Sequence, residues 1–340
     1  KTTVEDQKFP LIPLGYTATT AHIMVGLNRN GQFIQAEVCE PKQSVMVPCT
    51  IESAGRSNGI TPHPLHDKLT YVAGDSRNYG MSLRNTKTGQ TSFQVYLAQL
   101  QAWAESEYAD QNVKAIYNYI KQRTLIKDLV AVNVLYADAE NVLVDKWPGD
   151  SKDPANNEIV RVVSGKQTDA FIYFKVLDGD ADENRESISR SWATYYLHCL
   201  EEQGEKGLDY VTGELMVLTA NHARDIRRGG DNAKLISSND TSGFTYRGRF
   251  WSAEQAATVG YETSSKAFNA LKWLIRNQGY SVNGRVFLAW GEHGENEPLP
   301  TNSRGKPIPI EDPTDINFAK QHFKQYLKGK DFDLSSSHTI

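Results

Sequence analysis

His63, His66 and Asp67 fall within five residues of one another, in the stretch 55–68 that reads GRSNGITPHPLHDK. Two imidazoles beside a carboxylate are the donors of a metal-dependent phosphohydrolase, in which a bound cation polarises a phosphoryl oxygen and activates water. Such sites place the pair on a helix with further ligands converging. Pro62 and Pro64 forbid a helix here, and a later partner has to be His222 or one of many scattered acids. The same stretch supports a second chemistry. Arg56, Ser57, Asn58, Gly59, His63 and Lys68 offer cations and hydrogen-bonding groups on a loop stiffened by proline, suited to entering a nucleic-acid groove or wedging a base step.

A second cationic stretch runs from Val211 to Trp251. It carries Arg224, Arg227, Arg228, Lys234, Arg247 and Arg249 against Glu214, Asp225, Asp231 and Asp240. Gly229 and Gly230 follow the arginine pair and let the backbone approach another surface. Phe244, Tyr246, Phe250 and Trp251 lie among the last basic residues. Cations meet phosphates and aromatic faces stack on bases, so this mixture also fits a nucleic-acid backbone. A solvated loop with its aromatics in the core fits the same composition.

The remaining signals exclude more than they assign. Asp178, Asp180, Asp182, Glu183 and Glu186 mimic the start of a calcium loop, but the glycine and distal glutamate of that loop are missing, and a solvated turn is expected. There is no glycine-rich phosphate loop, no GxSxG and no supported Cys–His pair. Three cysteines without CxxC spacing argue against a disulfide framework and a structural zinc. No cofactor is expected. The net charge of −4 excludes a uniformly basic nucleic-acid binder, so phosphate contacts must come from local patches. No apolar run approaches a membrane span, which points to a cytoplasmic protein without a membrane partner.

The elements that must position these residues are legible in part. Residues 22–27 and 33–38 read as strands around Asn30-Gly31, a hairpin signal because both residues accept positive φ, and residues 45–49 read as a third strand. Phe93, Tyr96, Leu97, Leu100 and Trp103 recur at helical spacing, and a second helix is predicted over 112–123. Strands are predicted at 131–135, 141–145, 159–163 and 170–176, and a helix over 187–203. A long helix is predicted behind a capping box at Ser252 and Gln255, and a strand at 285–290. Five prolines between 298 and 313 mark a linker leading to a basic helix, and the closing SSSHTI reads as a frayed tail. The fold class is therefore α+β: antiparallel hairpins and a mixed sheet with packed amphipathic helices, and no Rossmann-type repeat. The expected organisation is a body over 1–291, in subregions 1–90, 91–207 and 208–291, followed by a Pro-rich linker and the start of a helical C-terminal region over 292–340.

In their order, these pieces resemble the N-terminal portion of the large subunit of the type I-C CRISPR surveillance complex (Cascade). The resemblance rests on Gly15-Tyr16 with LNRNGQF, on VPCTIESAGRSNGITPHPLHDKLTYVAGD, on VTGE followed by HARDIRRGGDNAKLISSND, on Phe244 with the helix through FNALKWLI, and on VFLAWGE. Asn58, His63, His66 and Leu208-Asp209-Tyr210 depart from that family's pattern. The resemblance implies a non-catalytic subunit that reads the motif flanking the target (the PAM) in duplex DNA and supports R-loop formation. It implies guide RNA, target double-stranded DNA, the backbone, guide-end-capping and small subunits, and a helicase–nuclease effector as partners. The DNA-binding candidates are Arg56, Ser57, Asn58, Gly59, His63, Lys68, Arg224, Arg227, Arg228, Lys234 and Arg247. A metal-dependent nuclease using His63, His66 and Asp67, and an adaptor whose basic stretch meets an acidic protein, are the competing readings.

Overall fold

A computed structural model describes residues 11–54, 56, 59–144, 159, 162–163, 165–219, 222–227, 233–236, 250–251, 258–282, 285–291 and 337–339. The chain divides into two compact units. The larger comprises Pro13–Asn221 and Ser237–Thr263; the smaller comprises Lys1–Ile12, His222–Ile236 and Ser264–Ile340. The architecture is α+β, as the sequence pattern predicts.

In the larger unit, β1 (Tyr16–Thr20) pairs with β4 (Ser44–Pro48), antiparallel. The main sheet has four strands in the order β3 (Phe33–Val38), β2 (Ile23–Leu27), β6 (Phe171–Val176), β5 (Asp67–Lys68). β2 and β6 run parallel, with Ile23 opposite Ile172. Both are apolar almost throughout, as strands buried on two faces must be, whereas edge strand β3 interleaves Gln35 and Glu37 with apolar residues and is partly exposed. β5 is only two residues long and lies at the other edge, where a proline-rich approach is tolerated. The predicted β2–β3 hairpin is present, but only one residue of the Asn30-Gly31 pair is left-handed. Gly31 donates to the Asn28 carbonyl and alone takes a positive φ, +74°, so the turn closes through one left-handed residue rather than two.

Helix α1 (Ile51–Ala54) and the short α2 (Leu69–Val72) flank the loop that carries the candidate residues. α3 (Ser92–Ala104) begins at a reciprocal cap between Thr91 and Gln94, and buries the Phe93, Tyr96, Leu100 and Trp103 face read from its spacing. α4 (Gln111–Ile120) follows, capped by Asp110. The predicted strand at 131–135 is absent. α5 (Leu125–Ala131) occupies its start, buries Leu125, Ile126 and Leu129, and stops as Asn133 turns left-handed. Among the described residues 141–144 only an isolated bridge joins Leu143 to Ala137, and Ile159 and Val162 are helical. Short apolar runs carry no period of their own, and neighbouring packing decided each of them.

The acidic run is exposed and opens on a bend, as expected, but from Ala181 onward it is helix rather than turn. Asp180 caps α6 (Ala181–Gln203) by accepting from the amides of Asp182 and Glu183, so the helix starts six residues before the predicted position. Asp182 and Glu183 then sit in the first turn, where negative charge favours the helix dipole. Asp178 accepts from the Arg29 amide and ties this corner to the β2–β3 turn. α6 packs by its aromatic face: Trp192 meets Trp103 edge-on at 4.8 Å and stacks on Tyr196 at 4.9 Å. Both indoles are satisfied, Trp103 by Ser191 and Trp192 by the Gly15 carbonyl. Trp103 and Trp192 lie in one core with Ile23, Val25, Phe174 and Ile116; truncating either to alanine removes about 3–5 kcal/mol.

β7 (Lys206–Leu208) and β8 (Leu215–Val217) form a hairpin after α6. α7 (Tyr261–Gln278) is the predicted long helix, but it starts later than predicted: residues 258–260 are not helical, so Ser252 and Gln255, which lie outside the described residues, do not open it. In the smaller unit, β9 (Tyr280–Val282) pairs with β10 (Arg285–Phe287), so the predicted strand 285–290 is two strands divided at Leu288. The second, β11 (Ala289–Gly291), pairs with β12 (Ser337–Thr339), which makes part of the expected tail a strand. The proline-rich stretch lies outside the described residues. No described helix is long and apolar enough to cross a membrane.

Candidate nucleic-acid interface

The loop between α1 and β5 is organised by Asp67, which is fully buried. Its carboxylate accepts from both Nη groups of Arg56 (Nη1 at 2.6 Å), from the His63 amide at 2.7 Å and from the Lys68 amide at 2.7 Å. Arg56 Nη1 also donates to the Thr61 carbonyl at 3.0 Å, and its guanidinium lies over the Tyr71 ring at 4.8 Å. Burial by itself would lower the Arg56 pKa, but the hydrogen bonds and charge of Asp67 outweigh it and raise the value. A two-pronged pair of this kind fixes geometry as well as charge. It ties residue 56 to residues 61 and 67, so both ends of the intervening loop are held.

The histidines are spent on the same framework. His63 is buried, with Nδ1 3.0 Å from Ser53 Oγ, and Ser53 itself exchanges hydrogen bonds with Thr50 at the start of α1. His66 is buried, stacks on Tyr173 at 4.3 Å, and accepts the Phe174 amide at Nδ1, which fixes its neutral tautomer with the proton on Nε2. Burial pushes the His63 pKa down to about 4, Arg56 adding to the fall and Asp67 opposing it. Burial, with help from His63, pushes His66 down to about 3. Both rings are neutral at pH 7. The three donors that suggested a metal centre therefore face different partners, and no group of three or more His, Cys, Asp or Glu able to hold a metal occurs among the described residues.

What the framework presents is different in kind. Gly59 is exposed with φ +82°, and nothing lies within 4 Å of the place a Cβ would take, so another backbone can come close. Lys68 keeps 46% of its side chain exposed at the edge of the sheet, 3.7 Å from the equally exposed Asp169. An exposed pair at that distance is worth little and yields readily to a phosphate. Ser57 and Asn58 lie outside the described residues.

The middle of the second cationic stretch, His222–Ile236, belongs to the smaller unit, and its two ends belong to the larger one. His222 is buried against Phe268, with Nδ1 2.9 Å from Ser264 Oγ. Burial, then the Lys234 charge, lowers its pKa. Asp225 takes a left-handed φ of +58°, and the Ile226 amide reaches the Ala233 carbonyl at 3.4 Å, so the chain turns back on itself between them. Arg227 and Lys234 are exposed, and Arg224 is half-buried with Nε 3.7 Å from Asp225. Arg228 and Arg247 lie outside the described residues. Sequence reasoning thus placed Arg56 and Lys68 on one loop and Arg224, Arg227 and Lys234 on another. It missed Asp67 as the loop's hub and Asp209 as the hub of the β7–β8 turn. The legible signal for the first was an arginine and an aspartate at the two ends of one proline-rich loop.

A family model described as CRISPR-associated protein (Cas_Csd1) matches residues 1–338. No curated protein matches the chain.

Proposed function

The chain belongs to the CRISPR-associated Csd1 family, and on that premise we propose that it is the non-catalytic large subunit of an RNA-guided type I-C antiviral complex in the cytoplasm. Membership itself implies work alongside other CRISPR-associated components. In the proposed role, guide pairing selects the target while this subunit meets the duplex motif beside it, supports R-loop formation and helps bring in the helicase–nuclease.

The observation that carries this reading is the Arg56–Asp67 clamp. A loop held at both ends approaches DNA without a large ordering cost. Residues 57–59 are then the reading segment, Lys68 a phosphate contact, and Arg56, His63 and Asp67 the frame behind them. Arg224, Arg227, Arg228, Lys234 and Arg247 are phosphate contacts that add affinity without choosing sequence.

The test is binding of duplexes with every flanking trinucleotide by the complex assembled on a matching guide. Ser57→Ala/Asn58→Ala is expected to flatten the preference among flanking sequences. Arg227→Ala/Arg228→Ala is expected to weaken all duplexes alike and to lower the salt slope by about two. A Ser57→Ala/Asn58→Ala complex that still discriminates like wild type would sink the reading.

A further inference from the structure

The β7–β8 hairpin has a feature that its own packing does not require. Asp209, fully buried, holds the turn rigid: its carboxylate accepts from the Val211 amide at 3.1 Å, Thr212 Oγ1 at 3.1 Å and Thr263 Oγ1 at 2.6 Å. The Asp209 amide donates to the Glu214 carbonyl, the Gly213 amide to the Asp209 carbonyl, and the Tyr210 amide to the Thr258 carbonyl. On this rigid turn stand four large apolar side chains in water: Leu208 (49% exposed), Tyr210 (63%), Val211 (69%) and Leu215 (79%). Leu208 and Leu215 are directly opposite in the strand register, so they share one face of the hairpin. Side chains this exposed add almost nothing to folding, whereas a rigid, contiguous apolar surface is suited to a partner.

Beside Leu215 lies a recess of about 120 Å³ whose apolar wall is Leu197, Leu200, Leu215, Met216, Val217 and Tyr261, with Glu201, Lys206 and Glu262 completing the lining. Its size decides what it takes. Small-molecule pockets run to about 300–1,000 Å³, while a cavity of about 150 Å³ holds one benzene ring. The recess is a socket for a single side chain. Its surroundings are acidic: Glu201, Glu202, Glu205 and Glu214 are exposed around the hairpin, with Lys206 as the opposing cation on the same strands. That field repels a phosphate backbone and favours a cationic protein surface.

We infer that the β7–β8 hairpin is a protein-docking surface, and that it receives an apolar side chain, flanked by lysine or arginine, from another protein subunit of the complex. The inference does not depend on loop 56–68 reading DNA.

The experiment places a photo-cross-linking phenylalanine analogue at Val211 in the full chain. The chain is assembled with guide RNA and the other protein subunits, irradiated and treated with nuclease. The expected result is a nuclease-resistant cross-link to a different protein subunit, on a peptide containing lysine or arginine. Val211→Asp/Leu215→Asp should reduce recovery of that subunit by roughly tenfold or more without moving the melting temperature of the isolated chain. Glu205→Lys/Glu214→Lys, which leaves every apolar side chain in place, should weaken the same contact and reverse its salt dependence. A cross-link only to nucleic acid or to a second copy of this chain, or none in the assembled complex, overturns the inference. So does full recovery with the paired aspartates.

Discussion

Two buried aspartates organise the two loops of interest, and their carboxylates are partnered by different means. Asp67 has a full countercharge: Arg56 grips both carboxylate oxygens, and two amides complete the shell. Asp209 has no arginine or lysine on its carboxylate among the described residues, and is held by two threonine hydroxyls and the Val211 and Gly260 amides. Burial alone would raise the Asp209 pKa, but the hydrogen bonds, led by Thr263, bring it below the ordinary carboxylate value. The contrast teaches that one residue type at the base of a loop can be a strut or a knot. An ion pair spans eleven residues and closes a long loop, while short-range donors tie a single turn.

The largest test of that contrast removes the countercharge. Arg56→Ala leaves the Asp67 carboxylate buried and unpaired, and a loss of about 3–5 kcal/mol in urea unfolding at pH 7 is expected. A loss below about 1 kcal/mol would mean that the amides hold Asp67 as donors hold Asp209. Acid provides the next test, because His63 and His66 share the Asp67 framework. The unfolded imidazoles take up protons near pH 6.5, the folded ones only near about 4 and about 3. The unfolded state therefore binds more protons between those values, so stability is complete above pH 6.5 and falls as the pH drops through that window. By pH 5 the expected loss is roughly 2–4 kcal/mol. A flat stability profile from pH 7 to 5 would show that both rings reach water.

Asp209→Asn should cost less, about 1–3 kcal/mol, because neutral donors lose an acceptor rather than a countercharge. If it costs as much as Arg56→Ala, charge is not what separates the two hubs. The smallest expected effect is that of Lys68→Ala: under about 0.5 kcal/mol in stability, since its pair with Asp169 is exposed. In the assembled complex the same change should lower the salt slope for duplex binding by about one. An unchanged slope would remove Lys68 from the interface.

The parts of the fold that were legible share a physical reason. β2, β6, α3 and α4 bury enough apolar surface to impress a period on their residues. α5 and the helical residues near 159 were misread because a five-residue segment with four apolar residues fits either period, and only the surrounding core chooses. The Asp180 cap was masked by its own acidic neighbours, which look like a solvated run until a helix begins among them. At the candidate interface, residue types were readable but partners were not. Arg56 and His63 look like ligands in one dimension, and turn inward only because Asp67 returns beneath them eleven and four residues later.

The parallel pairing of β2 with β6 has a consequence for how the chain is made. His22 and Phe171, which exchange hydrogen bonds at the start of that pairing, are 149 residues apart. At ribosomal speeds of about 5–20 residues per second, the second strand follows the first by about 7–30 s. Through that interval the β2–β3 hairpin is complete but displays the open edge of an apolar strand, the kind of edge that recruits other chains. Among the described strands, β3 is the one sheet neighbour β2 has until then. Slower translation between residues 40 and 170 should therefore lower soluble yield without changing the stability of the finished protein.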